Sequence, residues 1–295
     1  MKKLLALVLS LIMVMSLFAA CGGSNDATEP ATEAPTDAAA PTDAPDANDP
    51  TDAPEAAKET IVVGYTLYEP MNYEDENGKL IGFDTELAEA VFGNLGYDVM
   101  FQKIDWSAKY TDLNSGAIDC VWNGFTCNCA DDDDGIQRKE KVDFSYNYME
   151  NRQVIVVKAD SGIASAADLA GKVAGVENGS AGEGYANSFD DVMVTGFDYQ
   201  TTALMEVLAG TVDFAVLDAQ LAKSYCGKGD YADLAIVDAL SSDVEYYAIG
   251  FKKGSELTAK VNEQLVALAA DGTIAALAEK YGVANTAITD FSDQQ

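Results

Sequence analysis

No sizeable apolar side chain occurs between Cys21 and Ile61, so any packed core must be built from residue 60 onward. Six of the seven prolines lie in that stretch, at Pro30, Pro35, Pro41, Pro45, Pro50 and Pro54, interleaved with Ala, Thr and acidic residues. Such a segment buries nothing that could offset the entropy of ordering its backbone. Its like charges repel, and residues 22–59 are predicted to form an extended tether.

Ahead of the tether, Lys2 and Lys3 precede an apolar run over 4–18, and Ala19 and Ala20 lead into Cys21. This is the pattern of a secretory signal. The run falls short of the roughly 20 residues a stable span needs. Residues 19–21 resemble a bacterial lipobox, which makes 1–20 the signal peptide and Cys21 a lipidated first residue, with Phe18 standing where leucine is usual. The net charge of −31 repels nucleic acid and anionic membrane surfaces. The absence of histidine removes the usual general base, histidine triads and most catalytic zinc sites.

Beyond residue 60 strands and helices alternate. Ile61-Val62-Val63 is a β-branched run, and 84–95 places Leu87, Val91 and Leu95 on one helical face, with Asp84 available as N-cap. Strands at 97–101 and 118–122 flank a helix through Leu113, giving βαβαβ. A second series has strands at 154–157, 173–176, 192–195 and 214–217, with a helix at 202–209. The chain closes with a strand at 244–251 and two helices, the first carrying Leu257, Val261, Leu265 and Leu268 on one face. Two α/β lobes follow from this order.

Five words stand in series along these elements: Ile81-Gly82-Phe83-Asp84-Thr85-Glu86-Leu87-Ala88, Ile118-Asp119-Cys120-Val121-Trp122-Asn123-Gly124-Phe125-Thr126, Lys141-Val142-Asp143-Phe144-Ser145, Asp168-Leu169-Ala170-Gly171-Lys172, and Asp271-Gly272-Thr273 before Lys280-Tyr281-Gly282. In order and spacing they resemble the polar amino-acid family of bacterial solute-binding proteins that serve ABC importers. The resemblance implies a type II periplasmic-binding-protein fold, each lobe a mixed sheet flanked by helices and joined by two crossover strands. It implies lobe 1 from 60–149 and 246–295, lobe 2 from 150–245, and closure of the lobes on a ligand.

A free α-amino acid presents a carboxylate and an ammonium a few ångströms apart, so one planar cation and one anion must face a shared cavity. Arg138 and Asp218 match the family's positions for these roles, and a guanidinium offers a two-pronged match to a carboxylate. Read alone, Arg138 is a solvated residue of the run Arg138-Lys139-Glu140-Lys141, and Asp218 an N-cap. Asn123, Gly124 and Thr126 lie at the C-terminal end of a strand, where open α/β sheets place ligands. Gly179-Ser180-Ala181-Gly182 opens a helix whose first N–H groups, at Ser180 and Ala181, form an anion seat or a plain tight turn. Tyr68 and Trp106 match positions where the family sandwiches the ligand's side chain. Alanine at Arg138 or Asp218 is predicted to abolish strong binding with the fold intact.

Between Thr126 and Arg138 the family's short link is replaced by Cys127-Asn128-Cys129-Ala130-Asp131-Asp132-Asp133-Asp134-Gly135-Ile136-Gln137. The acidic tract has Lys141 where a calcium loop needs its closing Glu, and it reads as a solvated loop. Cys120, Cys127, Cys129 and Cys226 allow three complete pairings, and Cys127-x-Cys129 has no second cluster for a metal. No cofactor and no metal are called for.

The function expected is that of a non-catalytic, monomeric, lipid-anchored receptor outside the cytoplasmic membrane that delivers a polar amino acid to an ABC permease. A prephenate or arogenate dehydratase of similar fold is the rival enzyme, and it would need an acid placed over a ring substrate. A sensor for a signalling partner is a third reading.

Overall fold

The structure is a computed structural model that describes residues 58–295. The expectations for the signal segment, Cys21 and nearly all of the tether lie outside the described residues. Among those described, no helix is long and apolar enough to cross a membrane.

Two five-stranded mixed sheets organise the fold. The first runs in the order Asp98–Lys103, Thr60–Tyr65, Cys120–Val121, Gly250–Phe251 and Asp143–Phe144. Its first three strands are parallel, and Gly250–Phe251 is antiparallel to both neighbours. The second runs Met193–Phe197, Val173–Glu177, Phe214–Asp218, Gln153–Lys158 and Leu234–Ile236. Here too three parallel strands adjoin antiparallel ones. Met149–Asn151 and Glu245–Tyr247 pair antiparallel and connect the two lobes.

Helix Phe83–Asn94 shows why the first lobe holds. Phe83, Leu87, Val91, Ala88 and Phe92 are all buried, and each large apolar side chain fully buried contributes about 1.5–3 kcal/mol. They join a core with Val261, Leu265 and Leu268 of helix Leu257–Ala270. Gly82 precedes the helix at φ 131°, and a Cβ there would lie 2.0 Å from the Met71 carbonyl oxygen, so only glycine fits. Asp84 is not the N-cap. Gly82 holds that position, while Asp84 is buried inside the first turn and accepts bonds from the Gly124 N–H and the Tyr148 hydroxyl, each at 2.8 Å.

The segment 244–251 is two strands rather than one. Glu245–Tyr247 serves the connection between lobes, and Gly250–Phe251 enters the first sheet. A mostly apolar run does not signal this switch, because both strands draw on the same kinds of side chain. Cys120, Cys127, Cys129 and Cys226 are all free thiols.

Candidate functional site

The strands Cys120–Val121 of the first sheet, and Val173–Glu177 and Phe214–Asp218 of the second, end at one cavity. It is a tight cavity lined by Trp106, Asn123, Gly124, Thr126, Arg138, Glu177, Ser180, Ala181, Gln200 and Asp218. Eight of the nine residues singled out in the sequence are in that lining. Tyr68 is not. Its ring packs behind Gly124, where a Cβ would approach it to 2.6 Å, and its hydroxyl is paired with that of Tyr247 at 2.6 Å. Tyr68 therefore supports the wall from behind, and the tight fit against a glycine at φ 57° is what places it there.

Arg138 opens the short helix Arg138–Lys141 and is 1% exposed. Its Nε donates to Asp131 at 2.8 Å, one terminal nitrogen to the Thr126 carbonyl at 3.1 Å, and the other to the Gly179 carbonyl of the second lobe at 3.1 Å. A guanidinium has five N–H donors. These three bonds leave one proton on each terminal nitrogen, the pair a carboxylate requires. Burial opposes the charge, but its neighbours Cys129, Asp131 and Tyr110 together outweigh it and Arg138 is held as a cation.

Asp131 belongs to the insertion, which is not simply a solvated loop. Ala130 and Gln137 bridge its base, and Asp131 is buried there against Arg138, Lys141 and the Tyr110 hydroxyl. Burial would raise its carboxyl, yet Arg138 and Lys141 hold it below the usual range. The Lys141 ammonium sits among Asp131, Asp133 and Asp134 at 2.7, 3.9 and 2.8 Å. At the tip, Asp132 accepts a bond from Asn187 of the second lobe at 2.7 Å.

Asp218 stands at the N-cap position of helix Ala219–Tyr225, but its side chain makes no capping bond. Its carboxylate instead accepts from Asn151 at 2.6 Å, Gln153 at 2.7 Å and Gln200 at 2.5 Å. These donors are all neutral, so the negative charge has no counterion among them. Burial raises its pKa, and the amides pull it back only in part. Glu245, on the connecting strand, shares the Asn151 and Gln153 amides and accepts from the Thr126 hydroxyl at 3.1 Å. Burial and the Asp218 charge raise it to about 7.

The remaining predicted residues differ in what they offer. Asn123 lines the cavity, but both of its amide protons are committed, to the Thr66 carbonyl and Asn72 at 2.9 and 2.7 Å. Gly124 turns its N–H toward Asp84, so its contribution is closeness of backbone. The Ser180 hydroxyl caps helix Ala181–Asn187 by accepting from the Glu183 N–H at 3.1 Å. Trp106, 5% exposed, begins a short helical turn capped by Asp105 and sits edge-on to Phe125 at 5.2 Å between centroids.

Sequence reading missed three residues. Glu177 closes strand Val173–Glu177 in the same way that Asp218 closes its own, and the same rule about strand ends would have found it. Burial, followed by the Asp218 charge, pushes its carboxyl up to about 8. Gln200, at the start of helix Gln200–Ala209, had no signal of its own. Lys109, 2% exposed, donates to the Gly179 carbonyl at 3.0 Å and lies over the Trp106 ring at 5.0 Å. Burial lowers it to about 7, aided by the Arg138 charge.

The family described as "Bacterial extracellular solute-binding proteins, family 3" matches residues 61–284. The arginine-binding extracellular protein ArtP of Bacillus subtilis is 29% identical over 95% of this chain and 98% of its own. The L-cystine-binding protein TcyJ of Escherichia coli is 31% identical over 75% of this chain and 82% of its own. Among solved structures, an ancestral arginine-binding protein bound to arginine superposes with a TM-score of 0.68 at 37% identity, covering 76% of this chain and 98% of that one.

Proposed function

The chain belongs to family 3 of the bacterial extracellular solute-binding proteins, and we propose that its solute is a free amino acid, captured between the lobes and delivered to an ABC permease. The observation that carries this reading is one cavity lined by a buried guanidinium with two uncommitted protons and by a buried carboxylate held by neutral donors. Arg138 takes the ligand's carboxylate, and Asp218 takes its ammonium. Ser180 and Ala181 add contacts from the second lobe, Gly124 and Thr126 from the first, and Trp106 covers the side chain. Charge-assisted hydrogen bonds of this kind contribute about 1.5–3 kcal/mol each.

In this reading lobe 1 comprises 60–149 and 246–295, lobe 2 comprises 150–245, and the lobes close on the ligand. The protein acts as a monomer without catalysis, held to the cell membrane by a lipid on Cys21 with the segment up to residue 59 as tether. Thermal unfolding against free L-amino acids tests capture directly, since saturation at a hundred times Kd stabilises by about 2.7 kcal/mol. At least one free amino acid is expected to raise Tm, while its α-carboxamide and its N-acetyl derivative do not. Equal shifts from the derivatives, or turnover of arogenate or prephenate, would overturn the reading.

A further inference from the structure

The cavity holds one more acid than a plain zwitterion can use. Its ionisable lining is Arg138, Asp218 and Glu177. A ligand carboxylate on the guanidinium and an ammonium on Asp218 satisfy two of these groups and leave Glu177 without an opposite charge.

Nothing nearby fills that gap. Glu177 is 4% exposed, and among the described residues no ion pair reaches it. The Gln200 amide hydrogen-bonds to it and to Asp218 but brings no positive charge. The Lys109 ammonium is committed to the carbonyls of Trp106 and Gly179, at 3.3 and 3.0 Å. A carboxylate removed from water without a cation is unfavourable. In the same cavity, the Trp106 indole offers a surface suited to an aliphatic stem that ends in a positive charge.

We infer that Glu177 is the specificity-determining residue of this cavity and selects α-amino acids whose side chain ends in a cation, with Trp106 covering the stem. This rests on the amino-acid capture proposed above. The electrostatics agree: burial and then the Asp218 charge raise the Glu177 carboxyl to about 8, against the lowering influence of Lys109, while Asp105 adds to the rise. Near neutrality the acid therefore keeps its proton until a cation arrives.

Calorimetric titration of the full chain with L-arginine, L-lysine and L-citrulline, the uncharged isostere of arginine, tests this. Arginine or lysine is expected to bind at least about tenfold tighter than citrulline, a difference of about 1.4 kcal/mol. Glu177→Gln is expected to bring the affinities for arginine and citrulline to within about threefold of each other. Repeating the wild-type titrations in buffers of different ionisation enthalpy should show more proton release with the cationic ligands than with citrulline, which keeps the test open should the variant fold poorly. Equal affinities for arginine and citrulline, a preference that survives Glu177→Gln, or equal proton release with arginine and citrulline would overturn the inference. If only neutral amino acids bind, this inference alone fails; if no free amino acid binds, the capture reading fails with it.

Discussion

The two poles of the cavity hold opposite charges by opposite means. Arg138 is matched in advance by Asp131 at 2.8 Å, whereas Asp218 is surrounded by the amides of Asn151, Gln153 and Gln200. The cationic pole is thus a structural ion pair that also faces the ligand. The anionic pole is an isolated charge steadied by dipoles, and a ligand ammonium would supply its first counterion. The difference separates what each residue does for the fold from what it does for binding.

The largest effect is expected from Arg138→Ala. Removing Arg138 from this buried pair costs about 1–3 kcal/mol, less than for an isolated pair because Lys141 still reaches Asp131 at 2.7 Å. The ion pair with Asp131 argues against the expectation that this change spares the fold. Denaturant titration should show the loss, and retained wild-type stability would mean that Lys141 alone is enough to balance Asp131. Ligand affinity should fall on the order of 100-fold, since two charge-assisted bonds go with it.

Asp218→Asn should separate the poles most cleanly. It removes a charge that has no counterion in the ligand-free protein, so Tm is expected to hold or rise. Affinity should weaken about 10- to 100-fold, as measured by calorimetry. A drop in Tm comparable to that of Arg138→Ala would erase the contrast.

Acidity gives a third, smaller test. Glu177 is raised to about 8, Glu245 to about 7 and Asp84 to about 7, so over that range the native state binds more protons than the unfolded chain. Stability of the ligand-free protein should accordingly fall as pH rises from about 5 to about 7, above which loss of the Lys109 proton, itself lowered to about 7, acts in the opposite direction. The shift in Tm produced by a saturating ligand should grow as pH rises, because an ammonium needs ionised Asp218, whose carboxyl burial raises. Parallel curves with and without ligand would place the acids outside the binding event.

Asp132→Ala should do least. It removes one exposed bond to Asn187, worth about 0–1 kcal/mol, and Kd is expected to change by less than about threefold.

Much of this was readable in the chain itself. Motif order placed Trp106, Arg138 and Asp218 at one cavity, because strand ends and helix starts are local features. Asp131 was read as solvent-facing because a run of four aspartates carries no sign of which one turns inward. Tyr68 was misplaced because distance from a cavity depends on what a neighbouring glycine lets pass. Glu177 followed a rule already applied at Asp218 and was overlooked, while Lys109 and Gln200 acquire their partners only through contacts between distant segments.

Asn151 and Glu245 stand opposite each other on the two-stranded ribbon that connects the lobes. The ribbon is thus both the mechanical link and part of the cradle for the buried acids. Any twist between the halves must pass through it and disturb the amides shared by Asp218 and Glu245. Proton uptake by these carboxyls therefore doubles as a protractor, registering the angle between the halves through a titration.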